Sequence, residues 1–527
     1  MRRATVTVDA SLRFTRREAP DLADRLAGLL SRERVVRGKR GAVSGTTTFS
    51  LYRETNGAVE VPRGALDLLR TEAHDFGIDL DFRSRVVADL RAQRPSRLGV
   101  ELRPYQERAV DEMLRVVQGL VHLPCGGGKT TIGAAAVVRL GLPALVIVPT
   151  KDILDQWIET LDRMGAARAF RATGKRVPGP GEVAVATPAS LRPGSKASAL
   201  LTKVAVVVVD ECHRAVAPTW LELLARCPAR YRFGLTATID RSDRMEWAIP
   251  FVFGRVIEPA TIEDLIAGGW LVRPSVFMVD SGWTPSDDLR WKRAECPSCG
   301  AQTAARPSAL LSGVRCRARV HEPHADRMRK CGVEITGEHA TGETLSVDWS
   351  ELVAELVASE IRNATILRLV TAAVKGGRRS LALVPTVALT RQLADALRDR
   401  GIEAHSLTGE EPKGRRRAVL AGLRSGAVQA VIATRVADEG LDVPDLDCVI
   451  AAEPGRARGR ALQRAGRSMR PGGLPPIVID LVDRAPELRA QAMVRVRSYR
   501  ENYGPEAIMS ASPASLDLVL SALGGSG

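Results

Sequence analysis

The chain has 527 residues, of which 45% are apolar, 26% are charged and 4% are aromatic. This length is enough for about three or four domains with cores of their own. No apolar run approaches the ~18–20 residues that a transmembrane helix needs, so we expect no membrane partner.

The charge balance favours a polyanionic partner. Lys and Arg outnumber Asp and Glu by 76 to 61, which gives a net charge of +15. A surplus of this size suits the phosphates of nucleic acid. Because aromatic residues are few, we expect contacts to the nucleic-acid backbone rather than base stacking. The alternative is a solvated, arginine-rich surface without such a partner.

Cysteine usage indicates a reducing compartment. Four of the eight cysteines fall in one window, which is typical of a metal site rather than of a disulfide framework. The basic start, Met1-Arg2-Arg3, is not followed by a long apolar stretch. We therefore expect no secretory signal and a cytoplasmic protein.

Residues 1–97 carry no catalytic motif. Alternating segments such as Thr5–Val8 predict strands, and segments such as Asp21–Leu30 predict helices. The sequence therefore predicts a small N-terminal α+β domain. Its arginine-dense stretch, 32–40, fits either a DNA contact or a solvated face, and both interpretations stay open.

The strongest motif is a glycine loop between an apolar strand and a helix, Leu123–Thr131, which reads L-P-C-G-G-G-K-T-T. Glycines let backbone N–H groups curl around a phosphate chain, and the following helix turns its positive end toward the same anion. A glycine-rich turn without a ligand is the alternative. The residues that we expect to hold the phosphates of ATP are Gly126, Gly127, Gly128, Lys129, Thr130 and Thr131, with the Thr130 hydroxyl on Mg²⁺.

An aromatic and an amide side chain, Tyr105 and Gln106, lie one predicted helix ahead of this loop. A flat ring and an amide can stack on and hydrogen-bond an adenine. The alternative is a plain helix entry with Pro104 in its first turn.

The second strong signal is an apolar run, Val204–Val209, followed by D-E-C-H. Such a run predicts a central parallel strand that is buried on both faces. At its end, Asp210 would hold Mg²⁺ through water, and Glu211 would orient and deprotonate the attacking water. His213 either caps the turn or bridges neighbouring groups.

Hydroxyls recur at the ends of other predicted strands. Thr150 and Thr187 each end an apolar strand, at the edge where open α/β sheets bind ligands. Thr236 and Thr238, in L-T-A-T, are candidates for a relay between nucleotide and nucleic-acid sites, with solvated strand ends as the alternative.

Residues 276–350 are polar and irregular, and they hold the clustered cysteines. The knuckle C-P-S-C-G clasps one face of a metal in rubredoxin-like sites. We predict a structural zinc ribbon, because the stretch is too small for a core of its own. The alternatives are a site completed by His321 or His324 and no metal at all. The predicted zinc ligands are Cys296, Cys299, Cys316 and Cys331.

From Glu351 onward, alternating strand and helix patterns predict a second parallel sheet, without a phosphate loop of its own. In Ala461–Pro471, three arginines at spacing three would repel one another unless an anion lay between them. The γ-phosphate of ATP is the candidate anion, and an exposed basic helix end is the alternative. The residues concerned are Gln463, Arg464, Arg467 and Arg470, of which Arg467 and Arg470 would be arginine fingers.

In this order, the motifs resemble those of superfamily 2 helicases over Leu102–Pro471. The forms P-C-G-G-G-K-T and D-E-C-H are most similar to the xeroderma-pigmentosum-B-type and phage rewinding helicases. The resemblance is carried by L-R-P-Y-Q, P-C-G-G-G-K-T, V-P-T, A-T-P, D-E-C-H, T-A-T, A-T-R-V-A-D-E-G-L-D and Q-R-A-G-R-S-M-R.

The resemblance implies an α/β fold with two tandem RecA-like parallel-sheet domains that close on ATP, with nucleic acid in the groove across both. To these the sequence adds the small N-terminal α+β domain and a zinc-ribbon-like insert. The predicted bounds are 1–97 for the N-terminal domain, 98–275 for RecA-like domain 1, 276–350 for the insert, 351–500 for RecA-like domain 2 and 501–527 for a C-terminal tail.

Matching positions imply roles residue by residue. The resemblance places Gln106 on adenine, Lys129 and Thr130 on phosphate and Mg²⁺, Asp210 on the metal, and Glu211 on the attacking water. It further places Asp442 on ribose, Glu439 at the domain interface, and Thr236 and Thr238 in the coupling of the two sites. Gln463, Arg467 and Arg470 would complete the ATP site from the opposite domain. Thr150, Thr187 and Thr434 would contact the nucleic-acid backbone.

The expected function is an ATP-dependent helicase or translocase that acts on DNA. The segment Arg241–Asp243 lacks the Glu of the B-type Arg-Glu-Asp element, which puts wedge-like strand separation in doubt. The alternatives are an RNA remodelling helicase and a non-hydrolysing, zinc-bearing nucleic-acid scaffold. Because the sequence shows no nuclease motif beside the motor, a restriction role would need a nuclease partner, and repair or replication partners are the other candidates.

Overall fold

Two parallel sheets, a small α+β domain and a cysteine-bearing insert make up the chain in the computed structural model. The structure describes residues 2–37, 43–87, 90–237, 245–322, 327–344, 347–434, 446–455, 474–509 and 516–524. We call the unit built on the first parallel sheet the first lobe and the unit built on the second parallel sheet the second lobe.

The N-terminal domain has a five-stranded mixed sheet and a separate hairpin. Its elements are β1 (Arg2–Val8), β2 (Ser11–Thr15), α1 (Pro20–Leu29), β3 (Ser31–Arg37), β4 (Val43–Ser50), β5 (Arg53–Thr55), β6 (Ala58–Pro62), α2 (Leu66–Asp75) and β7 (Ile78–Ser84). The sheet order is β5-β6-β2-β1-β7, in which only β1 and β7 run parallel. The alternating strands and amphipathic helices predicted for this domain are therefore present.

The first lobe is built on a seven-stranded sheet. Its elements are α3 (Pro104–Val116), β8 (Gln118–His122), α4 (Lys129–Leu140), β9 (Ala144–Ile147), α5 (Lys151–Met164), β10 (Arg168–Arg171), β11 (Glu182–Ala186), β12 (Val206–Asp210), α6 (Pro218–Ala225), β13 (Tyr231–Thr236), α7 (Ile249–Phe253), β14 (Val256–Ile257) and α8 (Ile262–Ala267). The strand order is β10-β11-β9-β12-β13-β8-β14, and all of these pairs are parallel. The central strand β12 is fully buried, as its run of valines predicts.

The second lobe is built on a six-stranded sheet. Its elements are β15 (Ser275–Asp280), α10 (Trp349–Ala358), α11 (Glu360–Lys375), β23 (Ser380–Leu383), α12 (Val387–Arg398), β24 (Ala404–Leu407), α13 (Lys413–Ser425), β25 (Ala430–Ala433), β26 (Cys448–Ala451), β27 (Ile477–Val482), α14 (Pro486–Tyr503) and α15 (Leu516–Gly524). The strand order is β15-β27-β26-β23-β25-β24, and all of these pairs are parallel.

Two predicted boundaries differ from the structure. Residues 276–280 were expected in the insert, but β15 pairs with β27 and extends the second sheet. The predicted tail also contributes to the second lobe, because Val519 and Leu523 of α15 are buried in that lobe's core. In both cases long-range packing decides the assignment, and local patterns do not report it.

The insert lies between β15 and α10. It contains β16 (Lys292–Glu295), β17 (Gln302–Ala305), α9 (Pro307–Ser312), β18 (Val314–Arg315), β19 (Arg319–Glu322), β20 (Arg327–Lys330), β21 (Glu334–Ile335) and β22 (Ala340–Thr344). Every strand pair is antiparallel and short. Among the described residues of the insert, the core cluster holds six buried residues, two of which are cysteines, so apolar burial alone gives it little stability.

Buried arginines join the N-terminal domain to the first lobe. Arg63 donates to Gln118 Oε1 at 2.9 Å and to the Ala229 carbonyl at 2.5 Å, and it also bonds the Arg230 carbonyl. Arg232 donates in the opposite direction, to the Ala10 carbonyl at 3.0 Å. The two units therefore share one packed interface, with an apolar cluster that contains residues of both.

Candidate active site

The glycine loop bridges the end of β8 and the start of α4, as predicted. Gly126 and Gly128 have φ of +83° and +85°, which disfavours any residue with a Cβ. A Cβ on Gly127 would lie 2.8 Å from the Leu123 side chain, and one on Gly128 would lie 2.5 Å from Gln106 Nε2. The loop backbone therefore requires glycine for both conformation and space.

Tyr105 and Gln106 hold the glycine loop in place by hydrogen bonds. The Tyr105 hydroxyl donates to the Gly127 carbonyl at 2.7 Å, and Gln106 Nε2 donates to the same oxygen at 3.2 Å. Gln106 Oε1 accepts from the Arg103 backbone N–H at 3.0 Å. Both side chains are buried. They thus fix the phosphate loop, a function that the sequence did not predict, while adenine recognition by either residue stays a prediction.

The carboxylate pair lies at the end of β12. Asp210 Oδ1 accepts from the Glu211 backbone N–H at 2.9 Å, and Oδ2 accepts from the Trp157 indole N–H at 2.7 Å. Burial, followed by the neighbouring charge of Glu211, raises the pKa of Asp210 to about 6, while Lys129 opposes the rise. A buried carboxylate near a lysine is a fitting ligand for a hydrated divalent cation.

Glu211 has a left-handed backbone with φ of +49°, a strained conformation of the kind that clusters at functional sites. His213 Nδ1 lies 3.3 Å from Glu211 Oε2 and 3.3 Å from Thr236 Oγ1. Burial works against ionisation of Glu211, but the hydrogen bond to His213 and the charge of Lys129 hold its pKa below the usual value. Glu211 therefore carries an ionised carboxylate directly after β12, and its role as a base stays a prediction.

The structure brings three of the predicted groups together, since His213 links the proposed base to the strand-end hydroxyl of Thr236. His213 thus bridges Glu211 and Thr236, as the second of the two interpretations of this residue expects. Whether the group couples ATP and nucleic-acid sites stays a prediction.

Sequence reasoning missed Trp157. It is one of the buried residues of α5, with Ile153, Leu154, Leu161 and Met164, and this spacing predicts only a core-facing helix side. The available clue was chemical, because a buried indole N–H needs an acceptor. Which acceptor it finds depends on the packing of α5 against β12, which periodicity does not report.

The predicted nucleic-acid threonines all follow parallel strands. Thr150 caps α5 by accepting from the Ile153 N–H at 3.4 Å, and Thr187 shares a hydrogen bond of 2.9 Å with the Ser190 hydroxyl. Thr434 follows β25 of the second lobe. Because β9 and β11 are neighbours, Thr150 and Thr187 share one sheet edge. Their contacts to a backbone stay a prediction.

Several predicted residues lie outside the part of the chain that the structure describes. They are Thr238, Glu439, Asp442, Gln463, Arg464, Arg467 and Arg470, together with His324 of the insert, and the side chain of His321. The proposal that arginines complete the site therefore rests on the sequence alone.

The four predicted zinc ligands converge in the insert. Cys296, Cys299, Cys316 and Cys331 have all their Sγ atoms within 4.8 Å of one another, and two of the separations are 3.7 and 3.6 Å. A tetrahedral site with Zn–S bonds near 2.3 Å has Sγ–Sγ edges of about 3.8 Å. The donor set therefore fits Zn²⁺, and four cysteines suffice without a histidine.

Strand pairing, not sequence spacing, forms the second half of this cluster. The Gly332 N–H donates to the Cys316 carbonyl at 3.0 Å, and the Cys331 N–H donates to the Ala318 carbonyl at 2.8 Å. In the first knuckle, burial opposes ionisation, yet backbone N–H groups of Ser298 and Cys299 lower the pKa of Cys296 to about 7. The pKa values of Cys299 and Cys316 are raised, by burial and by hydrogen bonds with the neighbouring thiols. Cys296 therefore forms the thiolate, the form that binds metal, more readily than those two.

A phosphate loop and a strand-end carboxylate pair on one parallel sheet, followed by a second parallel sheet, define a P-loop nucleoside triphosphatase with two RecA-like domains. Family models agree: "Type III restriction enzyme, res subunit" matches residues 99–241, and "Helicase conserved C-terminal domain" matches residues 362–472. Both matches fall on the motifs by which the chain resembles superfamily 2 helicases, so the predicted resemblance is confirmed.

Curated relatives are named as DNA helicases or translocases. A putative DNA 3'-5' helicase Rad25 of Halobacterium salinarum is 27% identical over 76% of this chain and 57% of its own length. The DNA 3'-5' translocase XPB2 of Sulfurisphaera tokodaii is 24% identical over 73% of this chain and 82% of its own length. The chain thus spans little more than half of the first of these relatives.

Among solved structures, S. cerevisiae Dbp5 bound to RNA and ADP BeF3 superposes with a TM-score of 0.50 at 13% identity, covering 80% of this chain and 98% of that one. This likeness confirms the fold class. Within the described residues, no helix has the length and apolar character that crossing a membrane requires.

Proposed function

We propose that the chain is an ATP-dependent translocase or helicase that acts on DNA. The observation that supports this most directly is the geometry of Glu211, which has a strained backbone and an ionised carboxylate beside Asp210 and near Lys129. The relatives named as DNA 3'-5' helicase or translocase support DNA as the substrate and 3'-to-5' as the direction.

In this proposal the residues of the first lobe divide the chemistry. The loop N–H groups and Lys129 bind the phosphates of ATP, and Thr130 with Asp210 holds the Mg²⁺ that neutralises their charge. Glu211 orients a water molecule toward the γ-phosphate and accepts its proton. His213 Nδ1, which lies 3.3 Å from Glu211 Oε2, favours the ionised form of that carboxylate.

The second lobe would supply the rest of the cycle. Arg467 and Arg470 would stabilise the charge that develops on the transferred phosphoryl group, with Gln463 beside them. Closure on ATP and opening after hydrolysis would alternate the grip of Thr150, Thr187 and Thr434 on the DNA backbone. Binding through phosphates predicts little sequence preference and a strong dependence on salt.

We also propose one structural Zn²⁺ per chain, held by the four-cysteine cluster and stabilising the insert. None of the eight cysteines, all of which lie in described residues, forms a disulfide, which suits a reducing compartment, the cytoplasm. The protein partner that we propose for such an ATPase is a nuclease, a repair factor or a replication factor.

The test is Glu211→Gln in the full chain, compared with Glu222→Gln, which changes an exposed glutamate on α6 of the same lobe. Glu211→Gln should bind ATP and DNA but lose DNA-stimulated hydrolysis by about a hundredfold or more, while Glu222→Gln should behave as the parent. Full turnover by Glu211→Gln would overturn the assignment of the base.

Comparing DNA with RNA as the stimulating nucleic acid distinguishes the alternative functions. ATPase stimulation by DNA but not by RNA supports the DNA assignment, and the reverse supports an RNA remodelling helicase. Absence of any stimulated phosphate release supports a nucleic-acid scaffold without hydrolysis. Strand displacement on 3'-tailed, 5'-tailed and forked duplexes then reports direction and unwinding.

A further inference from the structure

We propose that Trp157 is a positioning residue for the Mg²⁺-binding carboxylate of Asp210, and that it connects the helix that contacts the second lobe to the ATP site. The inference deepens the proposed function and rests on the assignment of Asp210 as a metal ligand. It starts from the 2.7 Å hydrogen bond from the Trp157 indole N–H to Asp210 Oδ2.

The surroundings of the indole make this contact rigid. Trp157 is fully buried, and Asp210 is 5% exposed. A Cβ on Gly133, one turn into the helix that follows the phosphate loop, would lie 2.7 Å from the Trp157 ring. The ring therefore packs directly against α4, where close packing leaves few alternative rotamers. Its N–H is aimed at Asp210 by packing on the phosphate-loop helix itself.

Two donors from different directions fix the plane of the Asp210 carboxylate. The Glu211 backbone N–H takes one lone pair of Oδ1, and the Trp157 indole takes one of Oδ2. Each oxygen keeps a second lone pair, which is free for the water shell of Mg²⁺. Without the indole N–H, the carboxylate can rotate about its Cβ–Cγ bond, and the remaining lone pairs lose their direction. Outer partners that orient metal ligands typically contribute about 10–100-fold to metal affinity.

The opposite side of α5 contacts the second lobe. Asp155 Oδ2 lies 3.0 Å from Arg417 Nη2, and Asp152 Oδ2 lies 3.4 Å from Arg416 Nη1, both arginines being on α13. Trp157 is two residues beyond Asp155 and so projects from a different face of the helix. One helix therefore carries the contact between the lobes on one face and the Asp210 contact on another. A shift of α5 during lobe movement would change the orientation of the metal ligand.

The plain alternative is that Asp210 merely satisfies a buried indole N–H, which usually needs an acceptor. In that case, loss of the N–H would change stability but not the dependence of nucleotide binding on Mg²⁺. The two explanations therefore differ in a measurement that needs neither turnover nor DNA.

The experiment uses Trp157→Phe in the full chain, because phenylalanine keeps an aromatic ring and removes only the donor. Binding of a fluorescent ADP analogue is titrated against Mg²⁺. We expect the half-saturating Mg²⁺ concentration to rise about tenfold, with nucleotide affinity in EDTA unchanged. The matched control is Trp220→Phe, a buried tryptophan of α6 in the same lobe, which should leave both values unchanged.

A double-mutant cycle tests whether Trp157 acts through Asp210. In an Asp210→Asn background, Trp157→Phe should add no further change in the Mg²⁺ requirement. An unaltered requirement in Trp157→Phe, or equal losses of affinity with Mg²⁺ and with EDTA, would overturn the proposal. The experiment measures metal-dependent nucleotide binding. Its result can therefore be interpreted even if the helicase assignment fails.

A second measurement covers the case in which Trp157→Phe does not fold. The chain has 7 tryptophans, so ¹⁵N-indole spectra of parent and Asp210→Asn protein are simple to compare. One indole N–H resonance should move strongly on Asp210→Asn, and the same resonance should move in the parent when Mg²⁺ and ADP bind. If no indole resonance responds to Asp210→Asn, the contact does not exist in solution.

Discussion

The carboxylate of Asp155 in the first lobe lies 3.0 Å from the guanidinium of Arg417 in the second. Asp155 also bonds Arg171 of its own lobe, and the neighbouring Asp152–Arg416 pair spans the same boundary at 3.4 Å. Arg417 is 71% exposed, so water and salt compete for its pair. Such pairs contribute about 1 kcal/mol or less each, and an apolar cluster that holds residues of both lobes, among them Leu265 and Val496, adds to the contact.

The first prediction concerns this contact. Asp155→Asn removes the carboxylate that pairs with both Arg171 and Arg417. The distance between the lobes should therefore become more broadly distributed at low salt. The measurement is single-molecule FRET between one dye on each lobe, without nucleotide. Raising the salt of the parent protein should give the same broadening, because salt screens exposed pairs.

Asp162→Asn is the control for the first prediction. Asp162 is an exposed residue of the same helix and has no ion pair among those of the described residues. Its distance distribution should match that of the parent. If Asp155→Asn also matched the parent, the ion pairs would not hold the lobes.

The positions of the strands and of their ends could be predicted from the sequence. The run Val204–Val209 contains most of the fully buried strand Val206–Asp210, because a strand covered on both faces needs an uninterrupted apolar run. The glycine loop was equally readable, since only glycine accepts the φ of +85° at position 128. Local chemistry determines both features.

Other features were not readable because distant residues determine them. Strand β15 belongs to the second sheet only because Ser275 pairs with Ile477, about two hundred residues away. The Trp157–Asp210 bond and the second half of the cysteine cluster likewise depend on how elements pack. Periodicity gives the face of an element that is buried, but not the group that it meets.

The second prediction concerns the loop. Gly128→Ala should lower ATP affinity by at least about tenfold, because the new methyl would lie 2.5 Å from Gln106 Nε2 at a φ of +85°. The protein should lose only about 1–2 kcal/mol of stability, since the strain is local. Isothermal titration calorimetry and thermal unfolding report the two quantities.

Gly174→Ala is the matched control, because its Cβ would meet nothing within 4 Å and its φ is not positive. It should leave affinity and stability unchanged. Normal ATP affinity in Gly128→Ala would show that the loop does not hold phosphate in this geometry.

The third prediction concerns the cysteine cluster. Metal analysis should find about one zinc per chain in the parent, close to none in Cys316→Ser, and the parent value in the control Cys448→Ala, whose thiol lies in the second sheet. Chelation should expose the amides of 292–344 to hydrogen exchange while the first lobe stays protected, because the insert core is small.

The sign of the pH effect on zinc follows from the same chemistry. Zinc binds thiolates, so protons compete with the metal, and affinity should fall as pH is lowered. Affinity that was constant from pH 8 to pH 6 would contradict a four-thiolate site. Zinc retained by Cys316→Ser would instead point to another ligand in that position.

The fourth prediction concerns the attachment of the N-terminal domain. Arg63 is 4% exposed and bonds the side chain of Gln118 and two backbone carbonyls of the first lobe. Arg63→Met keeps much of the volume but leaves those buried acceptors without a donor, at a cost of about 2–3 kcal/mol. Burial lowers the pKa of Arg63 to about 9, so the charge itself is costly to bury, and the carbonyls offset that cost.

The loss should be local to the interface. Hydrogen exchange in β2 and β6 should accelerate in Arg63→Met, while the central strand β12 keeps its protection, because Arg63 follows β6 directly in the chain. Arg53→Met, at an exposed position of the same domain, should change neither. If Arg63→Met left exchange and thermal unfolding unchanged, the buried arginine would not be what fixes the N-terminal domain on the first lobe, and the shared apolar cluster would have to hold it alone.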